Sequence, residues 1–311
     1  MPSLLTTELA VVSVGTDIHL FYQNGQDIFE THSANGQAWV QDTTPIAKDG
    51  DYAGSAITAY YVDKDANFYN AHTIHLLYIN SSHELVEKVK KLATNTWEGV
   101  TLEDVVKKGP EMNSRLAGAA YNFNGGWNPE GSQWVYYTSR DTTDAKEGVT
   151  EIRRTPSGSW NVERVLPQKW GQILLATSLA VTIVRGEIQL FFQNHDLDIC
   201  LYKNTNNSWS DEGAVIKGSL VAANTTLSAT KTSDGKTHIF YASKNSPQNI
   251  IHSVDGAQEE LVKFYPGSKV GTTSSGDKVS TFYRSLNPVG NVEEKKYEGG
   301  KWGAATTVIK E

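Results

Sequence analysis

A repeated aromatic pattern restricts the fold of this chain more than any other feature. Six short runs with strand character each contain two adjacent aromatic or large apolar residues. The pairs are Phe21-Tyr22, Leu77-Tyr78, Tyr136-Tyr137, Phe191-Phe192, Phe240-Tyr241 and Phe282-Tyr283. They return roughly every 50 residues, a period typical of solenoids and propellers. The repeat therefore indicates an array of similar units, and it allows equivalent positions to be compared within one chain.

Each unit contains four short strand-like segments. A run of small and β-branched residues precedes several pairs, and side chains of that size fit a crowded central axis. A third run follows each pair, and a fourth opens with Trp in five of the six units. These Trp residues are Trp39, Trp97, Trp160, Trp209 and Trp302. Helical periodicity is absent apart from a possible short helix over 101–108.

We therefore predict an all-β protein, a six-bladed β-propeller with four antiparallel strands per blade. Since each blade buries its faces against its neighbours, residues 1–311 are expected to form a single propeller domain. A large β-sandwich is the alternative fold. The regular return of the whole four-strand pattern favours the propeller.

Composition and charge exclude several classes of function. The net charge of -7 argues against a nucleic-acid partner, which requires clustered Lys and Arg. A single cysteine excludes an intramolecular disulfide. No run of about 20 apolar residues is present, so no membrane span is predicted. The first residues lack the charged and apolar regions of a signal peptide, and we expect a cytoplasmic protein.

The units resemble those of the fungal fucose-specific lectins. The shared features are a Tyr/Phe-rich second strand that ends in Gln, a third strand of Ile-x-Glu type and a following Trp. They cover nearly the whole chain and are clearest in segments 18–30 and 188–201. The resemblance implies sugar sites between adjacent blades, each built from an Arg, a Glu and aromatic residues. A guanidinium donates to two sugar oxygens, a carboxylate accepts from hydroxyls, and an aromatic face covers the apolar side.

The residues expected at these sites differ from the lectin pattern in every unit. The Arg position, at the start of the second strand, is occupied by His19, His75, Trp134, Gln189, His238 and Ser280. The Glu position, at the end of the third strand, is predicted to hold Glu30, Glu87, Arg154, Leu201, His252 and Glu294. A neutral imidazole offers one donor in place of the guanidinium fork. The sequence therefore indicates a retained scaffold with lost sugar chemistry.

Unequal loops point to one asymmetric pocket instead of six equal sites. The third unit carries insertions over 122–131 and 140–148, and the second carries one over 62–70. Loops on a rigid scaffold commonly carry function.

The resemblance extends to related fungal propellers that act as hetero-Diels–Alderases. These enzymes join a tropolone quinone methide to a humulene-type sesquiterpene in secondary metabolism. The resemblance implies a cofactor-independent pericyclase that binds an apolar terpene and a tropolone-type oxadiene, and it makes a homodimer plausible. Such a reaction requires orientation of two partners and a donor to the oxadiene oxygen. The alternatives are a fucose-binding or other carbohydrate-binding lectin with altered sites, and a propeller that only recruits another protein.

Candidate functional residues follow from these comparisons. The predicted catalytic residues are His75, Arg154 and Tyr121. The predicted substrate-binding residues are Trp127, Trp134, Tyr60, His19 and His238. The alternative role is packing for Trp134 and polar contacts between blades for His19, His75 and His238. Since those histidines occupy equivalent places in different units, they do not converge on a metal, and neither a metal nor a cofactor is predicted.

Overall fold

The computed structural model arranges the repeated units as six sheets in a ring. The residues that it describes are 8–110, 113–123, 128–140, 147–166, 173–174, 176–184, 186–246, 248–265 and 267–310.

The first strand of each unit faces the central axis. These innermost strands are β1 (Leu9–Val14), β5 (Ile57–Asp65), β9 (Leu116–Tyr121), β13 (Ala180–Val184), β17 (Leu227–Lys231) and β21 (Gly271–Ser275). Each innermost strand contacts that of the next unit, and β21 contacts β1, so the ring closes.

The next two strands of each unit form the body of its sheet. The second strands are β2 (Asp17–Asn24), β6 (Ala71–Ile79), β10 (Ser132–Arg140), β14 (Glu187–Gln193), β18 (Thr237–Ala242) and β22 (Lys278–Leu286). The third strands are β3 (Asp27–Ser33), β7 (Leu85–Lys91), β11 (Glu147–Arg154), β15 (Ile199–Thr205), β19 (Asn249–Val254) and β23 (Val289–Glu298).

The fourth strands form the outer edge. They are β4 (Val40–Gln41), β8 (Thr96–Val100), β12 (Trp160–Leu166), β16 (Ser208–Ile216) and β20 (Ala257–Lys263), with β24 (Lys301–Trp302) and β25 (Thr306–Ile309) sharing this place in the sixth unit. A 3-10 turn (Ala66–Phe68) follows β5, and the expected short helix is a single turn, α1 (Asp104–Lys107). The described residues include no helix with the length and apolar character that a membrane span requires.

Every sheet is an antiparallel meander that runs outward from the axis in chain order. We number the sheets blades 1 to 6 in that order. The predicted six-bladed propeller with four antiparallel strands per blade is therefore confirmed.

The aromatic pairs hold adjacent blades together. Neighbouring residues on a strand point to opposite faces of the sheet. Phe21 accordingly packs into the core shared with blade 2, whereas Tyr22 belongs to the core shared with blade 6, which also contains Phe282. The Phe21 ring meets the ring of Trp97 edge-on, with centroids 5.8 Å apart. The same edge-on contact recurs between Phe282 and Trp39 at 5.5 Å.

Close packing at the axis explains the small residues of the innermost strands. Gly118 of β9 donates its backbone N–H to Thr58 Oγ1 of β5 at 2.8 Å. A β-carbon added at Gly118 would lie 2.8 Å from the Tyr60 ring. The ring nevertheless leaves a central channel of about 280 Å³.

The blade contacts generate a stability prediction. Replacing the fully buried Phe21 with Ala should lower the free energy of unfolding by about 3–5 kcal/mol, because it opens a cavity between two blades. Chemical denaturation measures this change. Phe123→Ala is the matched control, since Phe123 is 49% exposed and its loss should cost less than about 0.5 kcal/mol. Equal effects of the two substitutions would contradict the packing role.

Candidate functional site

Strand register identifies the equivalent positions of the six blades. In each blade the first member of the aromatic pair lies opposite one residue of the third strand. These pairs are Phe21–Glu30, Leu77–Glu87, Tyr136–Glu151, Phe191–Leu201, Phe240–His252 and Phe282–Glu294. The assignment of Arg154 to the Glu position of blade 3 was therefore wrong. Glu151 occupies that position, and Arg154 lies three residues further along, where blade 2 has Lys90.

A lysine of the chain fills the site between blades 1 and 2. Glu30 is fully buried. Its two carboxylate oxygens accept from Lys90 Nζ at 2.8 and 2.9 Å, and Oε1 also lies 2.6 Å from His19 Nδ1. Trp97 Nε1 donates to Oε2 at 3.3 Å. Burial alone raises the pKa of Glu30, but His19 and Lys90 outweigh it and hold that pKa below its usual value.

An arginine fills the site between blades 2 and 3. Arg154 Nη2 lies 3.0 Å from Glu87 Oε1, and Trp160 Nε1 donates to Glu87 Oε2 at 2.9 Å. His75 lies between two carboxylates, with Nδ1 2.7 Å from Glu87 Oε1 and Nε2 2.7 Å from Asp65 Oδ2. No single blade supplies an Arg–Glu pair here, as the sequence predicted, yet two neighbouring blades assemble one.

This network also contains Tyr60, another predicted site residue. Its ring stacks on His75 with centroids 5.2 Å apart, and its hydroxyl donates to Gln133 at 3.0 Å. Burial raises the pKa of Tyr60, and the negative charge of Glu87 raises it further. The structure thus brings His75, Arg154 and Tyr60 together. Their exposures of 0%, 4% and 4% favour a structural role, so their roles in catalysis and binding stay predictions.

The site between blades 3 and 4 has a different set of contacts. Glu151 accepts from the Tyr136 hydroxyl at 2.9 Å and forms an ion pair with Arg164 at 3.0 Å. Burial raises the pKa of Glu151, and its hydrogen bond with Tyr136 and the charge of Arg164 only partly offset that rise. Its carboxylate accepts no hydrogen bond from Trp209, the tryptophan of the next blade.

Two buried polar groups therefore lack partners at the blade 3–4 site. Trp209 Nε1 is buried without a hydrogen bond, whereas the equivalent atoms of Trp97 and Trp160 donate to a carboxylate. Asn204 lies opposite Trp209 in the β-ladder, and both polar atoms of its side chain are buried and unpartnered. It stands at the position that Lys90 and Arg154 occupy in blades 2 and 3. Sequence reasoning missed Asn204 and Glu151 and gave Trp209 a packing role.

Two predicted residues lie beside this site. Trp134 and Tyr121 belong to the apolar cluster shared by blades 3 and 4, where they are each 1% exposed. The Arg153 guanidinium carbon lies 5.2 Å from the centre of the Trp134 ring, so the two groups form a cation–π contact. The Tyr121 hydroxyl is buried without a partner. Trp127 lies outside the described residues.

The third predicted histidine, His238, lies at another interface. His238 Nδ1 lies 2.9 Å from His252 Nε2, and His252 Nδ1 lies 2.9 Å from Glu259 Oε1. Burial, assisted by His252, lowers the pKa of His238 to about 4. His19 and His238 are thus in different interfaces, as expected from their equivalent positions.

The two other interfaces differ in the residue at the Glu position of the third strand or in its partners. Between blades 6 and 1, Glu294 is 1% exposed and its Oε1 has no partner. Between blades 4 and 5, Leu201 takes the place of the acid.

One group of described residues has metal-ligand geometry. Ligand atoms of Glu30, His32 and Asp42 lie within 4.8 Å of one another. Both Glu30 oxygens are already bound by Lys90, so its charge is neutralised by that lysine.

The fold of the chain is that of the fungal fucose lectins. AofleA from Arthrobotrys oligospora superposes with a TM-score of 0.79 at 18% identity, over 98% of this chain and 87% of that one. The Aleuria aurantia lectin, described as a six-bladed propeller that recognises fucose, gives 0.78 at 18% identity over 99% and 97%. The lectin BP39L from Burkholderia pseudomallei gives 0.63 at 13% identity over 94% and 81%. No protein-family model and no curated protein matches the chain.

These similarities confirm the predicted resemblance at the level of the fold. Identities this low carry no statement about the ligand.

The blade 2–3 network generates a prediction about acid stability. Burial raises the pKa of Glu87, but Arg154 and His75 outweigh it, and the pKa values of both Glu87 and Asp65 lie below their usual values. Groups with lowered folded-state pKa values stabilise the fold above their unfolded pKa values. That contribution should be complete above about pH 5 and should disappear as the pH falls through the lowered values.

Glu87→Gln should therefore lower the free energy of unfolding at pH 7 by about 3 kcal/mol and flatten its decline toward low pH. Denaturation at a series of pH values measures both effects. Glu98→Gln is the matched control, because Glu98 has a side chain 43% exposed and pairs with Lys91 at the surface. An unchanged pH dependence in Glu87→Gln would contradict the assignment.

Proposed function

We propose that the protein binds one small organic molecule at the blade 3–4 site, and that this site distinguishes it from a lectin with six sugar sites. The observation that carries the proposal is the pair of buried, unpartnered groups, Trp209 Nε1 and the Asn204 amide. Each such group costs about 1–3 kcal/mol when it has no partner. A ligand with a carbonyl or related acceptor oxygen would satisfy the indole N–H.

Two neighbouring sites support the same proposal because the chain itself occupies them. Lys90 and Arg154 already neutralise Glu30 and Glu87, and both acids are fully buried. A sugar would have to displace a buried cation from its carboxylate, which costs about 3–5 kcal/mol. The blade 3–4 site has the uncharged Asn204 in the corresponding place.

The finer proposal is the hetero-Diels–Alder addition of a tropolone quinone methide to a humulene-type sesquiterpene. The cycloaddition transfers no net proton, so it requires orientation and a donor to the oxadiene oxygen. Trp209 Nε1 and Asn204 would supply donors, and the rings of Trp134 and Tyr136 would provide apolar walls. Trp134 and Tyr121, which the sequence also selected, lie in the apolar cluster against which Trp209 packs and would line this site. His75 and Arg154 would support it from the adjacent interface.

The enzymatic proposal predicts a faster or more selective adduct. The protein should change the yield or stereochemistry of the product formed from a quinone methide precursor and humulene. Trp209→Phe removes the indole N–H and keeps an aromatic ring, so the rate should fall about 10-fold or more. Product chromatography measures the adduct.

Trp39→Phe is the matched control, since Trp39 opens the corresponding strand at a different interface. Product identical to that of a protein-free reaction would reject the enzymatic proposal. Loss of activity in both tryptophan variants would reject the assignment to the blade 3–4 site.

A lectin with altered sites remains the second candidate, and the blade 6–1 interface favours it. Glu294 keeps one unpartnered carboxylate oxygen beside the interface where Trp39 packs on Phe282. Calorimetric titration with α-methyl fucoside should then reveal at most one site per chain, abolished by Glu294→Gln. Binding at several sites per chain would contradict the proposal of a single non-sugar pocket.

A further inference from the structure

Three charged side chains meet at one end of the central channel. Glu8, Arg115 and Lys269 each lie one or two residues before an innermost strand, and they therefore share the end where those strands begin. Arg115 Nη1 lies 2.8 Å from Glu8 Oε1, and Lys269 Nζ lies 3.9 Å from the same oxygen. The second oxygen of Glu8 accepts from the backbone N–H of Ile57 at 3.0 Å.

Lys269 is enclosed but still reaches the channel. Its side chain is 15% exposed, and its ammonium donates to Ser178 Oγ at 2.5 Å. Burial and the positive charge of Arg115 lower the pKa of Lys269 to about 8, and Glu8 opposes this shift. A lysine beside a second cation in a desolvated pocket is a known arrangement for an amine nucleophile.

The length of the channel separates Lys269 from Lys231, the fourth charged residue of its described lining. The charged members of the described channel lining are Glu8, Arg115, Lys231 and Lys269. Lys231 ends β17 and lies at the opposite end of the channel. The walls between the two lysines are small and β-branched side chains of the innermost strands, such as Ala180 and Ala229. The cavity of about 280 Å³ is large enough for a carbonyl compound of several carbon atoms.

We propose that Lys269 is a reactive amine that forms an imine with a small aldehyde or ketone bound in the central channel. The neutral amine attacks the carbonyl carbon, the carbonyl π electrons move to oxygen, and a proton passes from the attacking nitrogen to that oxygen to give a carbinolamine. Loss of its hydroxyl group as water, with the nitrogen proton, gives the imine. The Ser178 hydroxyl, 2.5 Å from Lys269 Nζ, is within hydrogen-bond reach and can exchange protons with the reacting amine. This site is independent of the blade 3–4 site.

Reductive trapping tests the proposal directly. The folded full-length chain is incubated at pH 7 with butanal and sodium cyanoborohydride, which reduces an imine to a stable secondary amine. Peptide mapping by mass spectrometry should show alkylation of Lys269 about tenfold faster than that of Lys278, because an ordinary lysine is almost fully protonated at this pH. The side chain of Lys278 is 65% exposed, so access favours that control lysine.

Three variants make the result specific. Lys269→Arg keeps the positive charge and cannot form an imine, so the fast phase of alkylation should disappear while the fold is retained. Arg115→Leu removes the neighbouring cation, so the pH midpoint of labelling should rise. Lys231→Met, at the other end of the channel, should leave labelling of Lys269 unchanged. Labelling of Lys269 no faster than that of Lys278, or a fast phase that persists in Lys269→Arg, would overturn the proposal.

Discussion

The edge-on contact between one blade's aromatic pair and the next blade's tryptophan is the interaction on which the rest of the structure depends. Phe21 meets Trp97 in this way, and Phe282 meets Trp39 across the closure of the ring. The contact sets the distance between neighbouring sheets. It thereby places the third-strand acid of one blade against the third strand of its neighbour. At these interfaces the chemistry then follows from the side chain that the neighbour presents.

One position on the third strand decides whether a blade supplies a cation to the acid of the preceding blade. Lys90 and Arg154 occupy this position in blades 2 and 3, and each forms an ion pair with the buried acid of the preceding blade. Asn204 at the same position is uncharged, and Glu151 instead accepts from the Tyr136 hydroxyl and pairs with Arg164 of its own blade. Three interfaces with the same backbone therefore differ in electrostatics. At the blade 3–4 interface the N–H of Trp209 is buried without a hydrogen bond, whereas Trp97 and Trp160 donate to a carboxylate at the other two.

The fold was predictable from the sequence because propeller blades repeat the same packing and so repeat the same residue types. The aromatic or large apolar pairs mark all six blades, and the tryptophans mark five of them. The site was less predictable for two physical reasons. The insertion over 140–148 hid the strand register of the third blade, so Glu151 was not assigned to the Glu position. The pairing of Arg154 with Glu87 joins residues on different blades, and nothing local in the sequence reports such a contact.

The closure of the ring differs from the other interfaces in covalent connectivity. Blades 6 and 1 meet through contacts such as the 2.7 Å hydrogen bond between Ser13 and Thr273, and among the described residues they share no strand. Every other pair of adjacent blades is also joined by the chain itself. Under mechanical load applied between residues 8 and 310, the force would cross this seam without passing through a shared sheet. Blades 6 and 1 should therefore separate from each other first, while the individual blades are still folded.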